Sequence, residues 1–130
     1  MSAFPVMLFL HAKGCDPGQL ASVAAPIAGA IAAGALPPLV LACPTGLPEG
    51  WYCDQPDGPA VASVIRHDVL PWIEREFACG GTREQRIFAG FSMGGYGAAR
   101  LAFAEPALCA RVELWGSALH TAHFQRDCRP

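Results

Sequence analysis

Short apolar runs alternate with longer segments of helical pattern along the chain. The apolar runs lie at residues 5–10, 39–42, 86–90 and 112–115. Helical patterns lie between them, at residues 19–33, 59–77 and 93–104. The apolar runs are too short for helices and are bounded by glycine, proline or polar residues, which is typical of buried strands. Because strands that alternate with helices form parallel β–α units, the pattern predicts an α/β fold, with a doubly wound, mostly parallel sheet of about four strands and helices on both faces.

Prolines fall within two of the predicted helices. Pro26 lies in the middle of the first helical pattern, and we expect it to interrupt that helix. Pro71 lies in the second pattern and is expected to kink the helix or divide it in two. Residues 45–59 are dense in glycine, proline and aspartate, and predict a long functional or surface loop that carries Trp51 and Tyr52.

Composition narrows the class of protein. The chain has 130 residues, of which 52% are hydrophobic and 15% charged, with a formal net charge of -2. These values predict one domain with a buried core, and nine scattered basic residues argue against a nucleic-acid partner. Residues 17–48 carry no charge, but prolines and glycines divide them into pieces too short for a membrane span. With no signal-peptide pattern at the N-terminus, we expect a cytoplasmic protein without a membrane partner.

The six cysteines show no CxxC pair and no regular metal-ligand spacing. In a cytoplasmic chain of this size we expect them to be mainly small residues of the core. A disulfide framework and a metal site are the alternatives. Neither a metal nor a cofactor is part of the prediction.

The strongest chemical signal is a G-x-S-x-G motif, which spans residues 90–94 and lies between a predicted strand and a predicted helix. A serine hydroxyl is a poor nucleophile, so a hydrolase exposes it on a sharp turn where a base and backbone N–H groups can reach the reacting atoms. The sharpness of that turn explains glycine at both Gly90 and Gly94. Ser92 is therefore the candidate nucleophile. The alternative is a glycine-rich turn of a nucleotide-binding fold, but the glycine and lysine spacings of such folds are missing.

This motif and three further segments resemble the esterases of the esterase D type, within the α/β-hydrolase superfamily. The segments are Leu10-His11-Ala12-Lys13-Gly14, Trp51-Tyr52-Cys53-Asp54, Asp68-Val69-Leu70-Pro71-Trp72-Ile73-Glu74 and residues 90–98. The resemblance implies an α/β-hydrolase core that runs from the third to the sixth strand of a complete hydrolase. On this basis residues 1–130 are expected to form a single partial domain.

The resemblance also assigns an oxyanion hole. It implies that Ser92 is the nucleophile, that the backbone N–H of Met93 is one oxyanion donor, and that the backbone N–H of Lys13 is the second. Ala12 stands where the family has glycine, so its Cβ would disturb the loop if a positive φ were required there. The same resemblance gives His11 a structural role in this loop.

Substrate contacts are implied for Trp51 and Tyr52, with ordinary loop packing as the alternative. Asp54 and Asp68 are expected to be a turn residue and a solvated helix residue rather than catalytic acids.

Hydrolases of this superfamily use a catalytic triad of a nucleophile, an acid and a histidine base, and the acid and then the histidine follow the nucleophile along the chain. The acid and the base are harder to assign in this sequence than the nucleophile. His120 is a possible base because it follows the fourth strand, and His123 is a second candidate. Glu105, Glu113 and Asp127 are the acids that follow Ser92, and none has the expected position or order. We therefore expect the acid and base to be missing from this chain.

Two functions remain open. The first is a serine-dependent acyl hydrolase, a carboxylesterase or thioesterase that takes a small-molecule ester or thioester and forms an acyl-enzyme on Ser92. The second is a catalytically incomplete remnant or binding module. A serine peptidase shares the motif but is favoured by nothing else. Unpaired strand edges and apolar helix faces also predict self-association.

Overall fold

The described residues of this computed structural model, 3–119, form a parallel sheet with helices on both faces. The strands are β1 (Val6–Leu10), β2 (Val40–Ala42), β3 (Arg86–Phe91) and β4 (Arg111–Trp115). The helices are α1 (Leu20–Ala32), α2 (Val61–Val64), α3 (Leu70–Glu76) and α4 (Met93–Ala104), with a π turn (Ile65–Val69) between α2 and α3. Short 3-10 turns at Pro17–Gln19 and Arg83–Gln85 precede α1 and β3.

The four strands are parallel and lie in the order β2-β1-β3-β4. All five residues of β1 are buried, because this central strand has a neighbour on each side and helices over both faces. Leu10 pairs with Gly90, and Gly90 with Leu114, so the carboxyl ends of β1, β3 and β4 lie side by side. The predicted α/β class and parallel four-stranded sheet are confirmed.

The two faces of the sheet are covered unequally. One face carries the larger core, in which Leu8, Leu10 and Phe88 pack with residues of α2, α3 and α4. The other face buries Met7, Phe9 and Ala89, and α1 covers it through partly buried side chains. No residue of α1 is fully buried. Apolar surface therefore remains open around α1 and the second face.

The predicted interruption at Pro26 is wrong, since α1 continues through it. Pro26 itself is exposed, while Val23 and Ile27 on either side of it pack against the sheet. These contacts hold the helix together although proline lacks the N–H that would continue the hydrogen-bond ladder.

The helical run predicted at residues 59–77 is not divided at Pro71: α2, the π turn and α3 follow one another without a break, with helical backbone angles at the junctions. The backbone N–H of Leu70 donates to the carbonyl of Ile65, which is the five-residue spacing of a π helix. Pro71 follows this π turn directly, and the local change of hydrogen-bond spacing accommodates a residue that has no N–H to donate.

The five cysteines in the described range are free thiols. Cys79 and Cys109 are buried, as expected for core residues, and Cys15, Cys43 and Cys53 are half-buried. Cys128 lies outside the described residues. Residues 3–119 contain no cluster of three or more His, Cys, Asp or Glu side chains with metal-site geometry. No helix in this range has both the length and the apolar character to cross a bilayer.

Candidate active site

Ser92 occupies a strained turn between β3 and α4. Its backbone has φ 54° and ψ -113°, a region that costs a non-glycine residue about 1–3 kcal/mol. The surrounding backbone holds this conformation through three hydrogen bonds. The Ser92 N–H donates to the Trp115 carbonyl (3.1 Å), and the Ser92 carbonyl accepts from the N–H groups of Tyr96 (3.1 Å) and Ala118 (3.0 Å). Ser92 is half-buried at the carboxyl edge of the sheet.

Backbone contacts exclude side chains on both sides of Ser92. A Cβ at Gly94 would lie 1.7 Å from the carbonyl oxygen of Leu10, and a Cβ at Gly90 would lie 2.1 Å from the carbonyl oxygen of Gly94. Both distances are far inside van der Waals contact, and the opposing atoms belong to the main chain. The start of α4 thus packs directly against the end of β1, which brings the loop after β1 close to Ser92.

The loop after β1 is a tight turn held at several points. The Cys15 N–H donates to the Ala12 carbonyl (3.1 Å), and the Gly14 N–H donates to the Pro48 carbonyl (2.8 Å). The Ala12 N–H donates to the side chain of Gln19 (2.9 Å). The positive φ of this turn, 74°, falls on Gly14, and Ala12 is not among the positive-φ residues of the described range. The Ala12 Cβ therefore causes no strain, and the turn presents the Lys13 peptide between two anchored neighbours.

His11 is fully buried and serves as a connector within this loop. Its Nε2 accepts the backbone N–H of Gly46 (2.9 Å), so its proton is assigned to Nδ1, which donates to the Ala12 carbonyl (2.9 Å). Both ring nitrogens are engaged with backbone groups. His11 is thus placed to join the loop after β1 to the loop after β2, and not to act as a base.

Trp51 and Tyr52 lie in different environments although both have a positive φ, of 53° and 55°. Tyr52 has no exposed surface, and its hydroxyl donates to the His11 carbonyl (2.9 Å). A Cβ at Gly97 would lie 2.4 Å from the Tyr52 ring, so this ring packs directly on α4. Burial strongly raises the pKa of Tyr52, which remains a neutral donor. Tyr52 therefore occupies the position of a packing residue.

The half-buried Trp51 meets Tyr96 in the first turn of α4, edge to face with ring centroids 5.5 Å apart. Because Tyr96 also donates its N–H to Ser92, Trp51 lies one side chain away from the candidate nucleophile.

Asp54 and Asp68 are both exposed. Asp54 accepts the N–H of Ser63 (2.9 Å) and also its hydroxyl. Burial opposes the charged form of Asp54, but the hydrogen bonds from Ser63 and the charge of Arg100 together outweigh it and lower the pKa of this carboxyl. Asp68 is exposed on the π turn.

The two described acids that follow Ser92, Glu105 and Glu113, lie away from the carboxyl ends of the strands. Glu105 ends α4 and forms an ion pair with Arg66. Glu113 is in the middle of β4 and is exposed. His120, His123 and Asp127 lie outside the described residues.

Two residues were not identified from the sequence, one in contact with the loop after β1 and one in the segment after β4. Gln19 holds the N–H of Ala12, seven residues away, through its side chain. Ser117 has a buried hydroxyl without a hydrogen-bond partner in the described structure, and a Cβ at Gly95 would lie 1.9 Å from that oxygen. Both contacts form only when the sheet brings separate segments together. They therefore leave no local pattern in the sequence.

An apolar pocket of about 230 Å³ lies between the loop after β2 and the α2 region. Leu47, Val61 and Ile65 are among its lining residues. Ser92, Lys13 and Trp51 do not line it. The pocket is thus separate from the turn that carries the candidate nucleophile.

Comparison with known proteins gives partial matches to esterases and a related hydrolase. No protein-family model matches the chain. Esterase MT1326 of Mycobacterium tuberculosis (strain CDC 1551 / Oshkosh) is 36% identical over 69 residues, which are 50% of this chain and 15% of the relative. The solved structure of a ferulic acid esterase has a TM-score of 0.82 at 24% identity, over 88% of this chain and 46% of its own. An S-formylglutathione hydrolase from Agrobacterium tumefaciens has a TM-score of 0.74 at 18% identity, over 98% and 58%.

These likenesses concern the fold. The described residues have the strand order and packing of an α/β-hydrolase core. The chain spans about half the length of the two solved structures and a much smaller share of the curated relative.

Proposed function

We propose that this chain is the nucleophile-bearing part of a serine-dependent hydrolase of small carboxylic esters or thioesters. The observation that carries the proposal is the backbone of Ser92, a serine held at positive φ between a central parallel strand and a helix start. Glycine would adopt this backbone conformation at lower cost than serine, so packing alone does not explain a serine at this position. The esterases among the similar proteins support the same reaction class.

In the proposed reaction, Ser92 Oγ attacks the acyl carbonyl carbon and forms a tetrahedral intermediate. The backbone N–H of Met93, at the start of α4, and that of Lys13 donate to the oxygen that becomes negative. The carbon–oxygen or carbon–sulfur bond then breaks, and the leaving alcohol or thiol takes the proton that came from Ser92. Water attacks the acyl-enzyme, releases the acid and returns the proton to Ser92.

The half-buried Trp51 is the residue we assign to the substrate side of the site. It is held by Tyr96, which also bonds the Ser92 carbonyl. Its ring therefore has a fixed position relative to the nucleophile and offers an apolar wall to an acyl or alcohol group.

A second candidate function is a hydrolase-like module that forms the elbow without efficient turnover. The observation in its favour is that His11 has both ring nitrogens bonded to backbone groups, while His67 is exposed on the π turn. Within residues 3–119 there is thus no histidine that the structure offers as the base. In the hydrolase proposal this role falls to a residue outside this chain, with His120 and His123 as the candidates within it. Removal of a triad base typically lowers the turnover rate by about 10⁴–10⁶-fold.

The test is reaction of the 130-residue chain with a fluorophosphonate probe and with a short-chain nitrophenyl ester. We expect Ser92 to be labelled and Ser92→Ala to lose the label. Ser22→Ala is a matched control, because Ser22 is an exposed serine in α1 and its removal should leave labelling unchanged. His120→Ala and His123→Ala then identify the base.

Each outcome separates the two functions. Labelling and turnover that both require Ser92 support the hydrolase. Labelling of Ser92 with ester turnover no faster than that of Ser92→Ala supports the incomplete module. Labelling equal to that of the alanine variant refutes the assignment of Ser92 as an activated nucleophile in this chain.

A further inference from the structure

A β-turn runs from Ala12 to Cys15 in the loop after β1. The Cys15 N–H closes it on the Ala12 carbonyl (3.1 Å), and the φ of 74° at its third residue, Gly14, gives the type II geometry that favours glycine there. The Gly14 N–H donates to the Pro48 carbonyl (2.8 Å). The Lys13 N–H, by contrast, has no acceptor within residues 3–119. Of the two N–H groups in the middle of the turn, that of Lys13 is thus the one left for a ligand.

The peptide between Ala12 and Lys13 is fixed through its carbonyl oxygen. This oxygen accepts from the Cys15 N–H and from Nδ1 of His11 (2.9 Å). In a trans peptide the N–H points away from the C=O, so two donors on the Ala12 carbonyl also set the direction of the Lys13 N–H. Donors on a carbonyl polarise its peptide and strengthen the N–H of the same peptide as a donor. The Lys13 N–H is therefore both oriented and strengthened.

The preceding N–H, that of Ala12, is held by a side chain. Oε1 of Gln19 accepts it at 2.9 Å from seven residues along the chain. Both backbone groups of Gln19 are bound as well, since its N–H donates to the Asp16 carbonyl (3.0 Å) and its carbonyl accepts the Ser22 hydroxyl (2.7 Å). The side chain of Gln19 thus reaches the loop from a fixed base. Because Ala12 is buried, the chain must shift to give its N–H another acceptor when Gln19 is lost.

We propose that Gln19 is a positioning residue, which sets through Ala12 the direction of the Lys13 N–H towards the oxygen that becomes negative when Ser92 attacks. The inference rests on the proposed function, in which the Lys13 N–H is the second oxyanion donor. A shift of the peptide before Ala12 turns the peptide after it, because the two share the Ala12 Cα. Productive geometry at such a site is kept within about 10–20°, so a turn of this size weakens the donor without altering Ser92.

The other proposed oxyanion donor has a separate support. The Met93 N–H belongs to the first turn of α4, and the adjacent Gly94 packs on the Leu10 carbonyl oxygen at the end of β1. The hydrogen bond of the Gln19 side chain goes to the loop after β1 and not to α4. A change at Gln19 should therefore affect Lys13 and leave Met93 in place, which a general loosening of the fold would not do.

The first test is the rate at which a fluorophosphonate labels Ser92 in the 130-residue chain. Gln19→Met removes the acceptor at nearly constant length and should lower the maximal labelling rate about tenfold or more, since loss of a whole oxyanion donor costs about 10²–10³-fold. The probe concentration that gives half this rate should change little, because the Lys13 N–H acts on charge that forms during attack. Gln19→Glu keeps a side-chain oxygen for the Ala12 N–H and should label at close to the wild-type rate. Gln85→Met is the matched control, because Gln85 precedes β3 and Ser92 follows it.

Backbone NMR follows the two donors separately. Lys13 is the single lysine of the chain, so selective isotope labelling of lysine gives one amide signal, and Met93 is followed in a methionine-labelled sample. In the wild type, both amide protons should move downfield once Ser92 carries the phosphonyl group, whose oxygen accepts from them. In Gln19→Met the shift at Lys13 should shrink while that at Met93 persists. Gln19→Asn, which withdraws the oxygen by one methylene, gives the same comparison if Gln19→Met does not fold.

Each outcome bears on a stated claim. Equal maximal labelling rates in the wild type and Gln19→Met would overturn the positioning role and leave Ser92 as the proposed nucleophile. A Lys13 signal that does not move when the wild type is labelled would overturn it too, because Lys13 would then not be a donor. Loss of both shifts in Gln19→Met, or slow labelling of Gln19→Glu, would assign Gln19 to the folding of the loop alone. A wild type that labels no faster than Ser92→Ala would refute the proposed function and this inference with it.

Discussion

Replacement of Gly94 by alanine tests the contact that joins the start of α4 to the end of β1. Gly94 is two residues after Ser92 and one residue after Met93, whose N–H is the proposed oxyanion donor. An alanine Cβ at this position would lie 1.7 Å from the Leu10 carbonyl oxygen and 2.8 Å from the His11 carbonyl oxygen. Neither oxygen belongs to a side chain that can rotate away.

The size of the displacement follows from these distances. A carbon needs about 3.2 Å from an oxygen, so a clash at 1.7 Å requires a movement of about 1.5 Å. Leu10 is the last residue of the central strand and is paired with β3, so the start of α4 has to move. We expect a loss of about 1–3 kcal/mol in the free energy of unfolding, as for other overpacked cores. A shift of about 1 Å in a catalytic group lowers reactivity by about 100-fold, which is the expected fall in the fluorophosphonate labelling rate of Ser92.

Denaturant unfolding and the labelling rate are measured on the same samples, with Gly29→Ala as the matched control. Gly29 lies in α1 and has no heavy atom within 4 Å of a built Cβ. This control should raise stability by about 1 kcal/mol through helix propensity and leave labelling unchanged.

A Gly94→Ala protein whose stability stays within about 0.5 kcal/mol of the wild type, and which labels at nearly the same rate, would refute the reasoning. This result would mean that the start of α4 lies farther from the end of β1 than the structure shows. The presence of glycine at position 94 would then need another explanation.

Three further predictions concern single side chains. Burial opposes the charge of Glu74, but hydrogen bonds from Arg86 (Nε to Oε1, 2.6 Å) and a backbone N–H lower its pKa below 4.5. The resulting stabilisation is complete above the unfolded value and is lost as the pH falls through the lower folded value, so Glu74→Gln should flatten the decline of the unfolding free energy below about pH 5. Tyr52→Phe leaves the buried His11 carbonyl without its donor and should cost about 1–3 kcal/mol in denaturant unfolding. Burial raises the pKa of the Cys43 thiol to about 11, so peptide mass spectrometry should find its alkylation by iodoacetamide at pH 8 about 100-fold slower than in unfolded protein.

Much of the fold is predictable from the sequence because its strands and helices differ in length and have clear boundaries. The predicted helix at residues 93–104 has the bounds found for α4, and each predicted strand agrees with the observed strand to within one residue. Glycine and proline mark most of these boundaries, and the all-apolar β1 indicates a strand covered on both faces.

The structure differs from the sequence-based predictions where contacts between residues distant in the sequence outweigh local conformational preferences. Pro26 is tolerated because residues on either side of it in α1 pack against strands of the sheet. The fixed position of Tyr52 depends on a hydrogen bond to His11, 41 residues earlier, and on the absence of a side chain at Gly97. No window of the sequence contains both partners of such a contact. The aromatic residues of the loop at 45–59 could therefore be recognised, but their separate roles could not.

The backbone geometry of Ser92, the proposed nucleophile, can be tested separately from the supply of a base. The strain at Ser92 persists because β4 accepts its N–H, Tyr96 and Ala118 bond its carbonyl, and the start of α4 is held against β1. All these contacts lie within residues 3–119 and include no acid or histidine side chain. The sheet and the start of α4 are therefore enough to hold the strained turn at Ser92. Under the proposed function, reactivity of Ser92 towards a fluorophosphonate would report on the turn and the proposed oxyanion donors, whereas ester turnover would report on the base. A substitution that changes the base and leaves the sheet intact should therefore lower ester turnover without lowering the labelling rate of Ser92.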